Sequence, residues 1–196
     1  MRKIFILAAV WVLVCAAGLA WAQKGTTTKT TRAIATPSGR PMGPRMYRTI
    51  SNTMVNPISV SFAATNPDTD SPVASSPAPG ATVKWTINST FEFAGNWTLT
   101  IAPGGSTFTG CPTVPTTAVS VACTSATGTA GSANCASTGT YVALPSSGSL
   151  QVASGTYPGS LFGTNTNYTV VLNYQFADSW KYVAGTCPLT VTYTVN

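Results

Sequence analysis

The chain has 196 residues, a formal net charge of +6, no histidine, and 7% charged against 44% hydrophobic residues. Without histidine the commonest general base is missing, which excludes Ser-His-Asp and Cys-His catalysis and most zinc sites. So few charges, with abundant threonine and serine, suit strands with Thr-covered outer faces, and no run of charged helix formers is long enough for three helical turns.

Residues 1–22 read as a signal peptide. Arg2 and Lys3 precede an apolar run at 4–14, and Ala20-Trp21-Ala22 supplies small residues for cleavage before Gln23. Val14 is too bulky to precede a lipid-modified Cys15. Export predicts a secreted, periplasmic or cell-surface location, with no transmembrane segment after cleavage.

Residues 23–50 carry Lys24, Lys29, Arg32, Arg40, Arg45 and Arg48 and no acid. From residue 51 on, Lys84 and Lys181 stand against Asp68, Asp70, Glu92 and Asp178, so the positive charge belongs to the arm. The arm is rich in Thr, Gly and Pro and short of large apolar side chains, which predicts a disordered basic segment. Its charge would suit an anionic surface such as envelope polymers or lipid head groups, although a soluble spacer whose charges do nothing specific explains it better. Nucleic acid is set aside, because the arm has Tyr47 as its sole aromatic and the chain is exported.

Residues 51–196 read as one β-sandwich domain. Ile58, Val60 and Phe62 alternate with Ser59 and Ser61 as a first strand, followed by a proline-rich loop at 64–81. Val83, Trp85 and Ile87 share a face, which Phe91 and Phe93 continue. After Gly95-Asn96, Trp97, Leu99 and Ile101 alternate with Thr98 and Thr100, so the two Trp-bearing runs are expected to form a hairpin. Val119, Val121 and Cys123 share a face, and shorter strands are expected at 141–144 and 150–152, then a glycine-rich loop at 155–165. The clearest alternation is the last: Tyr168, Val170, Leu172, Tyr174 and Phe176, then Leu189, Val191, Tyr193 and Val195, again expected to pair as an antiparallel unit. Eight or nine strands at this spacing predict an all-β antiparallel sandwich, immunoglobulin-like in its Trp and Cys placement.

Cys111, Cys123, Cys135 and Cys187 make an even set in an exported chain and predict two disulfides. Cys123–Cys135 would close the small-residue loop at 124–134 and leave Cys111 for Cys187. This is preferred to Cys111–Cys123 with Cys135–Cys187.

Chemistry has few candidates. Of the four acids, Glu92 and Asp178 could form a glycosidase pair only if their strands were neighbours. Asn66-Pro67-Asp68-Thr69-Asp70-Ser71 places oxygens at alternate positions, making Asp68 and Asp70 a calcium candidate, although an exposed turn with local hydrogen bonds explains them better. Trp180 and Tyr182 flank Lys181 and could form a platform for a sugar or a partner chain. No cofactor is expected. An exported sandwich with an N-terminal arm and an alternating final strand resembles pilin-type modules that exchange strands. The expected function is a non-catalytic structural or binding module of the envelope, a surface adhesion or assembly subunit contacting an envelope polymer, a polysaccharide or other protein subunits. The alternative is a carbohydrate-binding module using Trp180 and Tyr182.

Overall fold

A computed structural model of the chain describes residues 23–28, 31–32, 47–63, 66–182 and 186–196; the expected signal peptide at 1–22 lies outside the described residues. Among the described residues the chain is nearly all strand, with one 3-10 turn at Thr116–Ala118. The strands are β1 (Gln23–Thr28), β2 (Thr31–Arg32), β3 (Tyr47–Asn56), β4 (Ser61–Phe62), β5 (Val73–Ser76), β6 (Ala81–Thr90), β7 (Gly95–Pro103), β8 (Thr107–Phe108), β9 (Cys111–Pro115), β10 (Val119–Gly128), β11 (Ser132–Cys135), β12 (Val142–Ala143), β13 (Leu150–Tyr157), β14 (Thr164–Phe176) and β15 (Leu189–Val195). One sheet runs β1-β15-β7-β13-β11 and the larger runs β12-β10-β14-β6-β3-β2, with β5 and β4 added beside the end of β14. Pairing is antiparallel except for β1, which lies parallel to β15. The inner faces of the two sheets share one core, so the domain is an all-β sandwich.

Both expected hairpins are corrected. β6 lies in the larger sheet and β7 in the smaller; β14 and β15 are divided in the same way. Alternation reports that a strand buries one face and says nothing about which strand lies beside it. Four residues, 91–94, can reach about 13 Å when extended, enough to cross the ~10 Å between packed sheets. The chain therefore turns across the core, and the apolar faces meet instead of lying side by side.

What they meet over is aromatic. Trp85 on β6 and Trp97 on β7 make an edge-on contact with centroids 4.9 Å apart. Tyr168, directly opposite Trp85 on β14, stacks on it at 5.5 Å and touches Trp97 at 4.9 Å. The Tyr168 hydroxyl leaves this cluster to donate to the Thr156 carbonyl at 2.8 Å. Gly155 faces Trp97 in register, and a Cβ there would stand 2.6 Å from Trp97 Cε2, which is why a glycine expected in a loop lies inside β13. Further along, the Tyr174 and Tyr193 hydroxyls bond each other at 2.7 Å across the sandwich.

The bridges are Cys111–Cys187 and Cys123–Cys135, the preferred pairing. Cys123 lies on β10 and Cys135 on β11, so this bridge staples the two sheets along one side. An immunoglobulin core sets its Trp against a central disulfide. Here Trp85 is two strands from β10, and what the structure shows is an all-β sandwich with two disulfides.

The residues before 51 also contribute strands. β3 begins at Tyr47, and within the arm Gln23–Thr28 adds to β15 while Thr31–Arg32 adds to β3. Edge pairing uses backbone groups, so it does not require the apolar side chains this segment lacks. The strand expected over Ile58, Val60 and Phe62 reduces to Ser61–Phe62; Val60 and Phe62 are buried, but Ile58 is exposed.

Two measurements probe this core. In the chain-entropy model the Cys111–Cys187 bridge, closing a separation of 76 residues, contributes about 4–5 kcal/mol, and Cys123–Cys135, closing 12, about 3 kcal/mol. Urea unfolding of the two paired Cys→Ala variants should rank them in that order. Burial pushes the Tyr193 phenol up to about 12. The unfolded chain ionises near pH 10, so this contribution is complete below about pH 10 and is lost as pH rises toward 12, by about 2–3 kcal/mol. In Tyr193→Phe the alkaline fall in unfolding free energy should be shallower by that amount.

Candidate functional site

The site expected at Trp180, Lys181 and Tyr182 follows β14. Asp178 Oδ1 accepts from the Ser179 amide at 2.8 Å, and the Tyr182 amide donates to the Ser179 carbonyl at 3.0 Å, closing a turn. Trp180 is 69% exposed and Lys181 is exposed. The Tyr182 ring instead packs 5.8 Å from Phe176 against the core, where burial raises its hydroxyl pKa and the Asp178 charge adds to the rise. Trp180 thus offers one open ring, and Tyr182 is committed to packing.

The acidic candidates separate. Glu92 bridges to Ser160 just before β14, and Asp178 follows its far end. The thirteen residues of β14 put these carboxylates on the order of 40 Å apart, against roughly 5–10 Å for a glycosidase pair. At the calcium candidate, Asn66 Oδ1 accepts from the Asp68 amide at 3.0 Å, and Asp70 Oδ2 accepts from the Asn66 amide at 3.4 Å. Those oxygens serve the local turn. Among the described residues, no group of three or more metal-ligating side chains is placed to hold an ion.

A different cluster lies at the opposite end of β14, on the β6–β7 loop at 91–94 and the β13–β14 loop at 158–163. Antiparallel bonds join the loops: the Glu92 amide donates to the Ser160 carbonyl at 3.2 Å, and the Ser160 amide donates to the Glu92 carbonyl at 2.9 Å. This approach requires Gly159, where a Cβ would stand 2.6 Å from the Glu92 carbonyl oxygen. The Ser160 hydroxyl accepts from Thr164 Oγ1 at 2.9 Å and from the Phe162 amide at 3.3 Å, fixing the second loop to the start of β14.

Beneath the loops, the Tyr157 hydroxyl donates to Glu92 Oε1 at 3.0 Å. Arg48 lies over the Tyr157 ring at 5.4 Å and donates from Nη1 to the Asn96 carbonyl at 3.2 Å. Burial raises the Tyr157 pKa, the Glu92 hydrogen bond raises it further, and Arg48 opposes both. The Glu92 carboxylate is therefore turned inward onto Tyr157, and Arg48 lies against the same ring.

What faces outward is apolar. Phe93 is 83% exposed, Leu161 67%, and Phe162 93%, with Phe91 partly exposed beside them. The two loops enclose an open cleft of about 350 Å³ lined by Phe91, Phe93 and Leu161. Phe91 has φ +51, a left-handed conformation that costs an ordinary side chain about 1–2 kcal/mol. Strain of this kind at a bulky residue persists where surroundings hold it and marks functional positions. Contiguous exposed apolar groups likewise mark contact surfaces, whereas scattered ones do not.

Sequence reasoning missed this end. Phe91 and Phe93 share the parity of Val83, Trp85 and Ile87, so alternation assigns them to the core. β6 stops at Thr90, and the φ of Phe91 breaks the period. The available signal was the density of large apolar residues, Phe91, Phe93, Leu161 and Phe162, next to turn-forming glycines.

No protein-family model matches the chain, and no curated protein is found similar to it.

Because Phe93 and Phe162 contact little, serine at either position should change unfolding free energy by less than about 0.5 kcal/mol. Tyr157→Phe, which leaves Glu92 Oε1 without its donor, should cost about 1–2 kcal/mol. Thermal or urea melts followed by near-UV circular dichroism check both.

Proposed function

We propose that the protein is an exported, non-catalytic structural and binding module that acts as a surface adhesion subunit, with its contact face at the Phe91, Phe93, Leu161 and Phe162 loop end. The observation that carries this reading is the locked pair of loops presenting those four side chains to solvent. Rigid projection means little ordering entropy is lost on contact. Two disulfides suit an oxidising, extracytoplasmic compartment. Among the described residues no helix is long and apolar enough to cross a membrane.

Assembly with other subunits is a second reading, favoured by β1. Gln23–Thr28 is the outermost strand of its sheet, held in parallel on β15, an arrangement a neighbouring copy could reproduce with the same backbone pairing. The carbohydrate reading rests on Trp180 alone, since Tyr182 packs inward.

Fractionation of producing cells tests the main reading. The wild-type protein should remain with the envelope, and Phe93→Ser/Phe162→Ser should release most of it into the soluble fraction. Equal retention of the two proteins would remove the loop end as the contact face. For the second reading, deletion of residues 23–28 should abolish concentration-dependent association in sedimentation velocity.

A further inference from the structure

We infer that the partner of the loop end is an anionic lipid surface, into which Phe93, Leu161 and Phe162 insert. This rests on the reading that the loop end is the contact face, and adds what it contacts.

Shape favours a bilayer. The most exposed side chains, Phe93 and Phe162, are on the tips of two loops and project outward. A protein partner would need pockets matched to each ring. The boundary between headgroups and acyl chains accepts any apolar projection and needs no such match. The bridge between Glu92 and Ser160 keeps the two loops together, so both tips meet a surface at once.

Charge favours an anionic one. The acid of this end, Glu92, accepts from Tyr157 through Oε1, and its Oε2 is buried, so it presents no open carboxylate to a headgroup. Arg48 stands at the start of β3 beside Asn96 and Tyr157, which places the entry of the chain into the sandwich at this same end. Arg32 on β2 lies in register with Arg48, which brings a second basic residue to this end, and residues 23–50 contain no acid. Basic groups beside inserted apolar side chains are the combination that anionic membrane surfaces retain. Trp180, also exposed, is a single ring at the far end of β14, where the basic Lys181 beside it is offset by Asp178.

The experiment is co-sedimentation of the purified exported protein with vesicles of equal parts phosphatidylglycerol and phosphatidylcholine, and with phosphatidylcholine alone. Binding should favour the anionic vesicles and weaken at high salt, because the headgroup contribution is screened. Phe93→Ser/Phe162→Ser should lower the vesicle partition coefficient by about a hundredfold, taking roughly tenfold for each ring withdrawn from the interface. Trp180→Ser should bind as the wild type does. Near-UV circular dichroism of the core tryptophans verifies that each variant is folded. Absence of wild-type binding to either vesicle overturns the inference, as does binding that survives the double substitution or falls equally in Trp180→Ser. If vesicles fail while the double variant is still released from the envelope, the lipid is wrong and the contact face stands. If the double variant instead dissociates a dimer in solution, the occupant is a second copy and the lipid inference is overturned. If neither vesicle binding nor envelope retention depends on the two rings, both readings fall together.

Discussion

The fold depends on three aromatic rings meeting between two sheets. Trp85 and Tyr168 are neighbours within the larger sheet, and Trp97 comes down on both from the smaller one. Each such ring buries on the order of 150–250 Å², and edge-on and offset contacts are orientation-dependent, so the cluster fixes how the sheets lie as well as that they lie together. Gly155 gives Trp97 its space, and the hydroxyl of Tyr168 is satisfied by backbone carbonyl. The polar bond between Tyr174 and Tyr193 repeats the arrangement further along the core without placing an unpaired hydroxyl there.

From this constraint the rest of the layout follows. Once β6 and β7 must face each other, the residues between them have to cross from sheet to sheet, and the end of the sandwich is made of crossings. Crossings have no ladder partner along their length. The loops at 91–94 and 158–163 solve this by pairing with each other through Glu92 and Ser160. Having spent their backbone groups on each other, they turn Phe93, Leu161 and Phe162 to solvent. The exposed apolar end is thus a product of the same geometry that builds the core.

Strand identity was legible in the residues because burial imposes period two: Trp85, Trp97, Tyr168, Tyr174 and Tyr193 all fall on the apolar parity of their runs, and all are buried. The disulfide preference was legible from the small residues between Cys123 and Cys135, but the loop expected there is mostly strand, with β10 paired to β14 as far as Gly128 and β11 paired to β13 from Ser132. Lateral order was not legible, since Val83 to Ile87 would show the same alternation against any neighbour. The strand pieces within residues 23–50 were missed for a related reason. Pairing of Gln23–Thr28 to β15 is a matter of backbone, and composition speaks only for side chains. Trp180 and Tyr182 looked equivalent in sequence, yet a turn closed on Ser179 sends one ring out and the other onto Phe176.

β14 runs from the apolar loops to the turn that carries Trp180, flanked on one side by β6 and on the other by β10. Its ladder with β6 covers Thr164 to Leu172 and its ladder with β10 covers Tyr168 to Phe176. If the two ends of the molecule were pulled apart, the load would run along this strand and act on both ladders in shear. Hydrogen bonds lying perpendicular to an antiparallel strand then resist together and do not unzip one at a time. A module gripping a surface at its loops would carry tension through its most heavily paired strand.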